Sequence, residues 1–401
     1  MNELSSLGLI LLLALGAGHL VKFARIPEVS GYIVAGIVLG PSVLGWVSQQ
    51  NLSALEILSE VALGLILFSV GTVFEASRFA RVGRQVLLLT LIESALAASI
   101  VSFGMLSLGQ SWKTALLLGA IAMATAPAST LMVVRENDSA GPLTDSLLAI
   151  IALNNIYCII AYSLVGAAID LASGLNGSTG PLQALYYSLY PLVWQLAGSV
   201  ALGFLVGMLL AAWAAKVTET GETLILLGGT ILLCVGLARV LDLSPLITSM
   251  AVGATMVNFT NHSGPLFDTL SRADPPFYAI FFVLAGADLD LGLVGSLGLA
   301  GAVYLLGRAA GKLLGARLGA EWLGLAPVVR RFLGLALMAQ AGLAVGLVIT
   351  TQRRFTELAP AVTTIVLASV VIYEIVGPIS TRFALVRAGE TRLPQGDQLV
   401  I

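Results

Sequence analysis

The sequence predicts an all-α polytopic membrane protein with about 13 transmembrane helices. Hydrophobic residues make up 58% and charged residues 10% of the 401 residues, and the mean hydropathy is +0.97. This composition excludes a soluble globular domain. Apolar windows of about 20 residues, the length that crosses a bilayer, recur along the chain. Lys and Arg collect in alternate loops between these windows, as they do in proteins that span membranes.

Each apolar window predicts one helix. The first predicts a transmembrane helix and not a removable signal peptide, because no basic residue precedes it and no cleavage pattern follows it. The windows lie near residues 5–21, 27–46, 53–74, 85–108, 113–134, 143–170, 184–215, 222–239, 244–260, 275–294, 297–320, 331–351 and 358–386. Residues 391–401 follow as a short cytoplasmic tail, and no cytoplasmic regulatory domain is expected after it.

The basic residues predict the orientation of these helices. With the N-terminus outside, 14 Lys and Arg residues fall on the cytoplasmic side and 4 fall outside. Arg308 and Lys312 complete the total of 20 from inside the eleventh helix. The sequence therefore predicts an outside N-terminus and a cytoplasmic C-terminus in the inner (plasma) membrane.

An internal repeat relates the two halves of the chain, as in many transporters whose halves are inverted in the membrane. Three matches hold at one shift of 215: residues 67–75 with 282–290, Glu93 with Arg308, and residues 125–127 with 340–342. The predicted membrane transporter domain, residues 1–390, then consists of a first repeat at about 5–170, a linker helix at 184–215 and a second repeat at about 222–386.

The fifth and twelfth helices contain the interruptions that this architecture needs. Pro127 lacks an amide donor, and Thr125 and Ser129 can satisfy the backbone groups that it frees. Gln340 and Gly342 fall at the matching level of the twelfth helix. If both helices unwind there, opposed half-helix ends meet at the membrane centre and form an ion site. The alternative is two ordinary kinked helices.

Asn154 and Asn155 lie midway along the apolar run of the sixth helix. A buried amide is costly unless it is hydrogen-bonded or faces a wet cavity, so polar side chains at this depth indicate a functional site. The alternative is that both amides only bond neighbouring helices.

Six segments together carry a family resemblance. They are RIPEVSGYIVAGIVLGPSVLG at 25–45, ATAPASTLMVVRE at 124–136, FFVLAGADLDL at 281–291, GRAAGKLLGARLGA at 307–320, GLALMAQAGLAVGL at 334–347 and YEIVGPISTRFALVRAGE at 373–390. In combination they resemble the monovalent cation/proton antiporter superfamily, nearest the branch of Kef-type potassium efflux proteins and NapA-type sodium/proton antiporters. The resemblance covers essentially the whole membrane domain.

The resemblance implies a homodimer in which a scaffold surrounds a mobile core, with crossed broken helices that carry the ion by an elevator-like movement. It places the unwound segments at 125–129 and 340–342 and the core basic residue at Arg308. Its ion-binding acidic motif, usually Asp-Asp, Asn-Asp or Gln-Asp, falls on Asn154 and Asn155. An amide can ligate Na⁺ or K⁺ but cannot release a proton, so this departure puts proton coupling in doubt.

Glu93 is the best candidate for the missing charge, because it lies near membrane mid-depth in the fourth helix. An uncompensated carboxylate there is costly, and the repeat makes Arg308 its symmetry mate. We expect Glu93 near Arg308, as a structural charge pair or as part of the proton path. Lys312 shares the face of Arg308 and is expected to extend toward the cytoplasmic end.

The sequence thus predicts a secondary-active Na⁺ or K⁺/H⁺ antiporter that interacts with monovalent cations, protons, the lipid bilayer and a second copy of itself. No cofactor or nucleic acid is expected, and no ATP-binding or protease motif occurs. Three alternatives stay open: the same fold with a neutralised proton site, natural or made by Asp-to-Asn changes; a sodium-coupled solute symporter; and a non-transporting membrane sensor.

Overall fold

The computed structural model describes residues 2–392 except 25, 72–73, 173–180, 215, 218, 261–266, 268 and 271–272. Most of the tail expected at 391–401 therefore lies outside the described residues. The described helices are α1 (Glu3–Phe23), α2 (Glu28–Leu39), α3 (Gln49–Gly71), α4 (Ala76–Ser107), α5 (Trp112–Ala122), α6 (Pro127–Glu136), α7 (Pro142–Ala172), α8 (Pro181–Ala214), α9 (Thr220–Val240), α10 (Pro245–Phe259), α11 (Pro275–Ala287), α12 (Gly292–Gly295), α13 (Gly298–Trp322), α14 (Pro327–Ala336), α15 (Gly342–Arg354) and α16 (Ala359–Ala388).

The predicted all-α class is confirmed, since the described residues contain helices and no strand. Eight described segments are long and apolar enough to cross a membrane, and α2, α10 and α11 are shorter apolar helices. The count of thirteen stays a prediction. The window predicted at 275–294 corresponds to two helices, because α11 ends at Ala287 and the short α12 begins at Gly292.

The chain forms two compact units. Unit 1 comprises Met1–Ala24, Gly31–Gly83 and Val193–Asp288, and unit 2 comprises Arg25–Ser30, Arg84–Leu192 and Leu289–Ile401. Each has its own apolar core. The core of unit 1 includes Phe68, Ile231 and Met256, and that of unit 2 includes Leu118, Tyr304 and Val366.

Two helix crossings in unit 1 depend on glycine. A side chain at Gly36 of α2 would meet the Val283 carbonyl of α11, and one at Gly71 of α3 would meet the Met250 carbonyl of α10. In the sequence, the shift of 215 aligns α2 with α10 and α3 with α11. The α2–α11 contact and the α3–α10 contact are therefore equivalent under the repeat. A two-fold axis between repeats would produce this arrangement, and the repeat bounds stay a prediction.

In unit 2, α13 lies in backbone contact with α4. A Cβ at Gly315 would lie 2.7 Å from the Glu93 Cα, and one at Gly311 would meet the Ala97 backbone. Small residues at four-residue spacing allow this close approach between membrane helices. This close contact places Lys312, which lies between the two glycines on α13, next to Glu93 of α4.

Candidate functional site

The two expected helix breaks are present and cross each other. The chain is non-helical from residue 123 to 126, between α5 and α6, and from 337 to 341, between α14 and α15. The Ala126 amide donates to the Ala339 carbonyl at 3.0 Å, which joins the two segments. The predicted bounds were wrong by a few residues, since Ser129 lies inside α6 and Gly342 is the first residue of α15.

Pro127 explains where the first break falls. Proline suits the first position of a helix, where the missing N–H would have no partner, so Pro127 starts α6 instead of kinking a continuous helix. The last carbonyls of α5 and α14 are then left without helical partners and carry partial negative charge. Side chains from α13 and from the breaks satisfy them.

Arg308 binds these carbonyls from both breaks. Its side chain is fully buried. It donates to Ala122 O at 3.2 Å and Ala124 O at 2.7 Å on one side, and to Met338 O at 2.7 Å and Ala339 O at 3.1 Å on the other. The guanidinium therefore holds the crossing together, and it has no ion pair among the described residues.

Aromatic and amide side chains complete the crossing. The Tyr373 ring lies 4.3 Å from the Arg308 guanidinium carbon, a cation–π contact. Gln340 donates through Nε2 to Ile121 O at 3.1 Å and to the Tyr304 hydroxyl at 2.9 Å. Its Oε1 is buried and accepts no hydrogen bond within the described part of the chain.

Glu93 forms its ion pair with Lys312. The Lys312 Nζ lies 2.5 Å from Glu93 Oε1, and both side chains are 0% exposed. Nζ also donates to Met123 O at 2.7 Å and to Thr125 Oγ1 at 3.0 Å, inside the first break. Among the described residues Glu93 pairs with Lys312 and not with Arg308, so the expected charge pair with Arg308 was wrong, whereas a part for Glu93 in the proton path stays a prediction. The expectation that Lys312 would extend toward the cytoplasmic end was also wrong, since its side chain is fully buried. Symmetry mates need not touch, and backbone carbonyls already satisfy Arg308.

The two asparagines contact different partners. Asn154 is buried, and its Nδ2 donates to Glu93 Oε2 at 2.8 Å and to Ser94 Oγ at 3.0 Å. Its Oδ1 accepts no hydrogen bond from the residues that the structure describes. The Asn155 Oδ1 accepts a long bond of 3.4 Å from the Thr125 amide at the first break. The pair thus connects α7 to both Glu93 and the unwound backbone.

Direct contacts therefore link the predicted residues to one another or to the first break. These residues are Glu93, Asn154, Asn155, Thr125 and Arg308. Ser129 is buried on α6, where its Oγ has no hydrogen-bond partner among the described residues. Sequence reasoning missed the central place of Lys312, and the signal for it was its position four residues after Arg308 on a glycine-lined face. It also missed Tyr304 and Tyr373, which resemble ordinary core aromatics in sequence.

One more buried acid lies on α16. Glu374 is 4% exposed, and its Oε2 accepts no hydrogen bond from any described residue. No ion pair of this side chain occurs among the described residues.

Comparison with known proteins gives a family match over most of the chain. Residues 8–387 match the family described as sodium/hydrogen exchanger, transmembrane. The ammonium/H⁺ antiporter subunit AmhT of Alkalihalophilus pseudofirmus is 27% identical over 252 residues, 63% of this chain and 62% of AmhT. The iron transporter MagA of Paramagnetospirillum magneticum is 30% identical over 141 residues, 35% of this chain and 31% of MagA. The matched region thus spans less than two thirds of each relative.

Solved structures show the same fold. Two structures of the sodium proton antiporter MjNhaP1 from Methanocaldococcus jannaschii superpose with TM-scores of 0.69 and 0.74, the first determined at pH 8. Each is 18% identical and covers 96% of both chains.

Proposed function

The chain belongs to the sodium/hydrogen exchanger family, and on that premise we propose that it exchanges a monovalent cation for protons across the membrane. One observation carries the proposal. Beside the crossed helix breaks lies a fully buried carboxylate, Glu93, in an ion pair with a buried ammonium, Lys312. An antiporter needs one group for which a cation and a proton compete, and this pair supplies it where Asn154 and Asn155 do not.

The exchange follows from the charges. A cation that enters the site competes with Lys312 for Glu93 Oε1. An ammonium that loses its buried counter-charge is strongly destabilised, so Lys312 gives up its proton as the cation binds. When the proton returns, the ion pair re-forms and the cation leaves. One proton leaves Lys312 for each cation that binds Glu93, so the exchange ratio is one cation to one proton, and the site has the same net charge with either bound.

Neutral oxygens near the carboxylate can complete the coordination. Asn154 already contacts Glu93 through Nδ2, and its Oδ1 is a buried acceptor that has no hydrogen bond to the described residues. Na⁺ and K⁺ accept amide and hydroxyl oxygens as ligands. We propose Asn154, Asn155, Thr125, Ser129 and Gln340 as the polar groups around the cation, with Arg308 as the structural charge of the crossing.

The Glu93–Lys312 pair favours antiport over a neutralised site, because a titratable pair remains even though residues 154 and 155 are amides. The cation is proposed to be Na⁺ or K⁺. Since a relative is described as an ammonium/H⁺ antiporter subunit, NH₄⁺ belongs in the same test. All site residues lie in unit 2, which supports an elevator-type step in which unit 2 carries the cation as one body. The homodimer and the plasma membrane location, with the N-terminus outside, are proposals from the family resemblance.

Purified protein in vesicles that contain a pH dye tests the proposal. Pulses of Na⁺, K⁺ and NH₄⁺ should each be compared with choline, and at least one should drive proton flux. Glu93→Gln and Lys312→Met should abolish that flux. Glu321→Gln is the matched control, because Glu321 is an exposed carboxylate on the same helix as Lys312. Absence of flux with every cation, from protein that is folded and inserted, would overturn the proposal.

A further inference from the structure

The C-terminal end of α16 meets the N-terminal end of α7, the helix that carries both asparagines. The helix α16 is followed by Gly389 with φ of 73°, and the Glu390 amide donates to Leu385 O at 3.1 Å across the last turn. This left-handed glycine ending reverses the chain. It leaves the Glu390 side chain buried beside the first residues of α7.

The Glu390 carboxylate caps α7. It accepts hydrogen bonds from the Leu143 amide, the Thr144 amide and the Thr144 hydroxyl, all at 2.7 Å. The first amides of a helix have no partner within it, and the partial positive charge there favours an anion. Such charge-assisted bonds are stronger than neutral ones. The Ala140 amide also donates to the Glu390 carbonyl at 3.0 Å.

The backbone of the α6–α7 connection fits this carboxylate closely. Gly141 has φ of 152°, and a Cβ at this position would lie 2.5 Å from Glu390 Cδ. A residue with a side chain would therefore displace the carboxylate.

The other contacts of α16 make this cap relevant to the cation site. Tyr373 lies against Arg308, and a Cβ at Gly377 would lie 2.5 Å from the Ala339 Cα in the second break. One continuous helix thus contacts the crossing and, through Glu390, the start of α7. Asn154 lies eleven residues after Leu143, about 16 Å along the same helix.

We propose that Glu390 is a positioning residue, which fixes α7 along its axis and thereby places Asn154 against Glu93 and Asn155 against Thr125. This inference rests on the proposed function. Loss of the cap would let α7 move by a fraction of a turn, while the Glu93–Lys312 pair would remain intact because it joins α4 and α13. The cation concentration for half-maximal exchange should therefore rise, and the rate at saturating cation should change little.

Glu390→Gln is the first test, in the full-length purified protein. Glutamine keeps one acceptor but presents an NH₂ group to the Thr144 donors. The half-saturating cation concentration should rise about tenfold, because only part of the energy of the lost charge-assisted bond is transmitted through α7 to the cation site. The maximal rate per folded transporter should stay within about twofold. Glu321→Gln, which removes an exposed carboxylate, should leave both quantities unchanged.

Gly141→Ala is the second test, because it displaces the carboxylate without removing its charge. Its control is Gly324→Ala, at a position with the left-handed φ of 68° and no heavy atom within 4 Å of a Cβ. Both variants strain the backbone, but only Gly141→Ala should raise the half-saturating concentration. The cation concentration that half-maximally raises the melting temperature gives the same comparison for binding alone.

The outcomes separate the two proposals. If the unmodified protein exchanges protons for a cation while both test variants keep its half-saturating concentration and lose only thermal stability, the role of Glu390 is overturned and the function stands. If the unmodified protein binds a cation without moving protons, the function is overturned, and the binding comparison still decides the role of Glu390. If it neither binds nor transports a cation, both proposals are wrong.

Discussion

Glu93 and Lys312 form the ion pair on which the proposed exchange depends, and removing either partner should destabilise the protein strongly. The relevant changes are Glu93→Gln, Lys312→Met and the two together. Among the described residues, Glu93→Gln leaves Lys312 with Met123 O and Thr125 Oγ1 as its acceptors. Lys312→Met leaves a buried carboxylate whose described hydrogen-bond donors are the Asn154 amide and the Ser94 hydroxyl. An uncompensated buried charge is the largest cost in both cases.

The distance sets the size of the effect. At 2.5 Å between Nζ and Oε1, two unit charges attract by about 7 kcal/mol with an effective dielectric constant of 20. Much of this offsets the desolvation of the two ions, so each single change should cost about 3–5 kcal/mol of the free energy of unfolding. The double change removes both charges at once and should be less destabilised than either single variant.

Reversible unfolding in mixed micelles, with all four proteins at one pH, measures the coupling between the two residues. The expected coupling energy is at least about 3 kcal/mol. The reasoning is refuted if each single change costs less than about 1 kcal/mol, the usual value of an exposed pair, or if the two single costs add up in the double variant. Proton flux should be absent from all three variants, including the stable double variant.

Three further predictions follow from neighbouring contacts. Asn154→Asp places a second carboxylate where Nδ2 now lies 2.8 Å from Glu93. Because like charges this close favour the binding of an additional proton, the exchange should gain protons per cation and become sensitive to membrane potential, which is measured in vesicles whose potential is set with an ionophore. Gly311→Ala forces α13 away from the α4 backbone and should cost about 1–3 kcal/mol of unfolding free energy, whereas Gly307→Ala, whose nearest heavy atom would lie at 3.4 Å, should cost less than half as much. Glu374→Met removes a buried carboxyl that has no ion pair among the described residues, and it should raise the unfolding free energy by about 1 kcal/mol. An unchanged or lower unfolding free energy would show that the buried carboxyl does not destabilise the protein.

The fold could be predicted from the sequence because its main signals are local. Composition and the recurring apolar windows require membrane helices, and a proline within one of them marks a break. The shift of 215 that aligns residues 125–127 with 340–342 identified the second break, although no proline lies there. The exact bounds of the second break could not be predicted, because no residue comparable to Pro127 marks them.

The ion-pair partner of Glu93 could not be predicted from the sequence, and the reason is geometric. The repeat relates Glu93 to Arg308 by position, and residues related by a symmetry axis contact each other only if they lie close to that axis. Contact is decided by the rotation of α13 against α4, which the close approach at Gly311 and Gly315 fixes. That rotation turns Lys312 toward Glu93 and Arg308 toward the backbone carbonyls.

Arg308 has a consequence for how voltage acts on this protein. A guanidinium keeps its proton in proteins at any physiological pH, so the crossing contains one permanent positive charge whether the neighbouring pair holds a proton or a cation. In an elevator-type cycle with one cation per proton, this charge crosses the electric field once in each direction. Its work, up to about 2.3 kcal/mol per 100 mV, cancels over a complete cycle. Membrane potential would then alter how long the carrier faces each side, and hence the speed of turnover, while adding no driving force to net exchange.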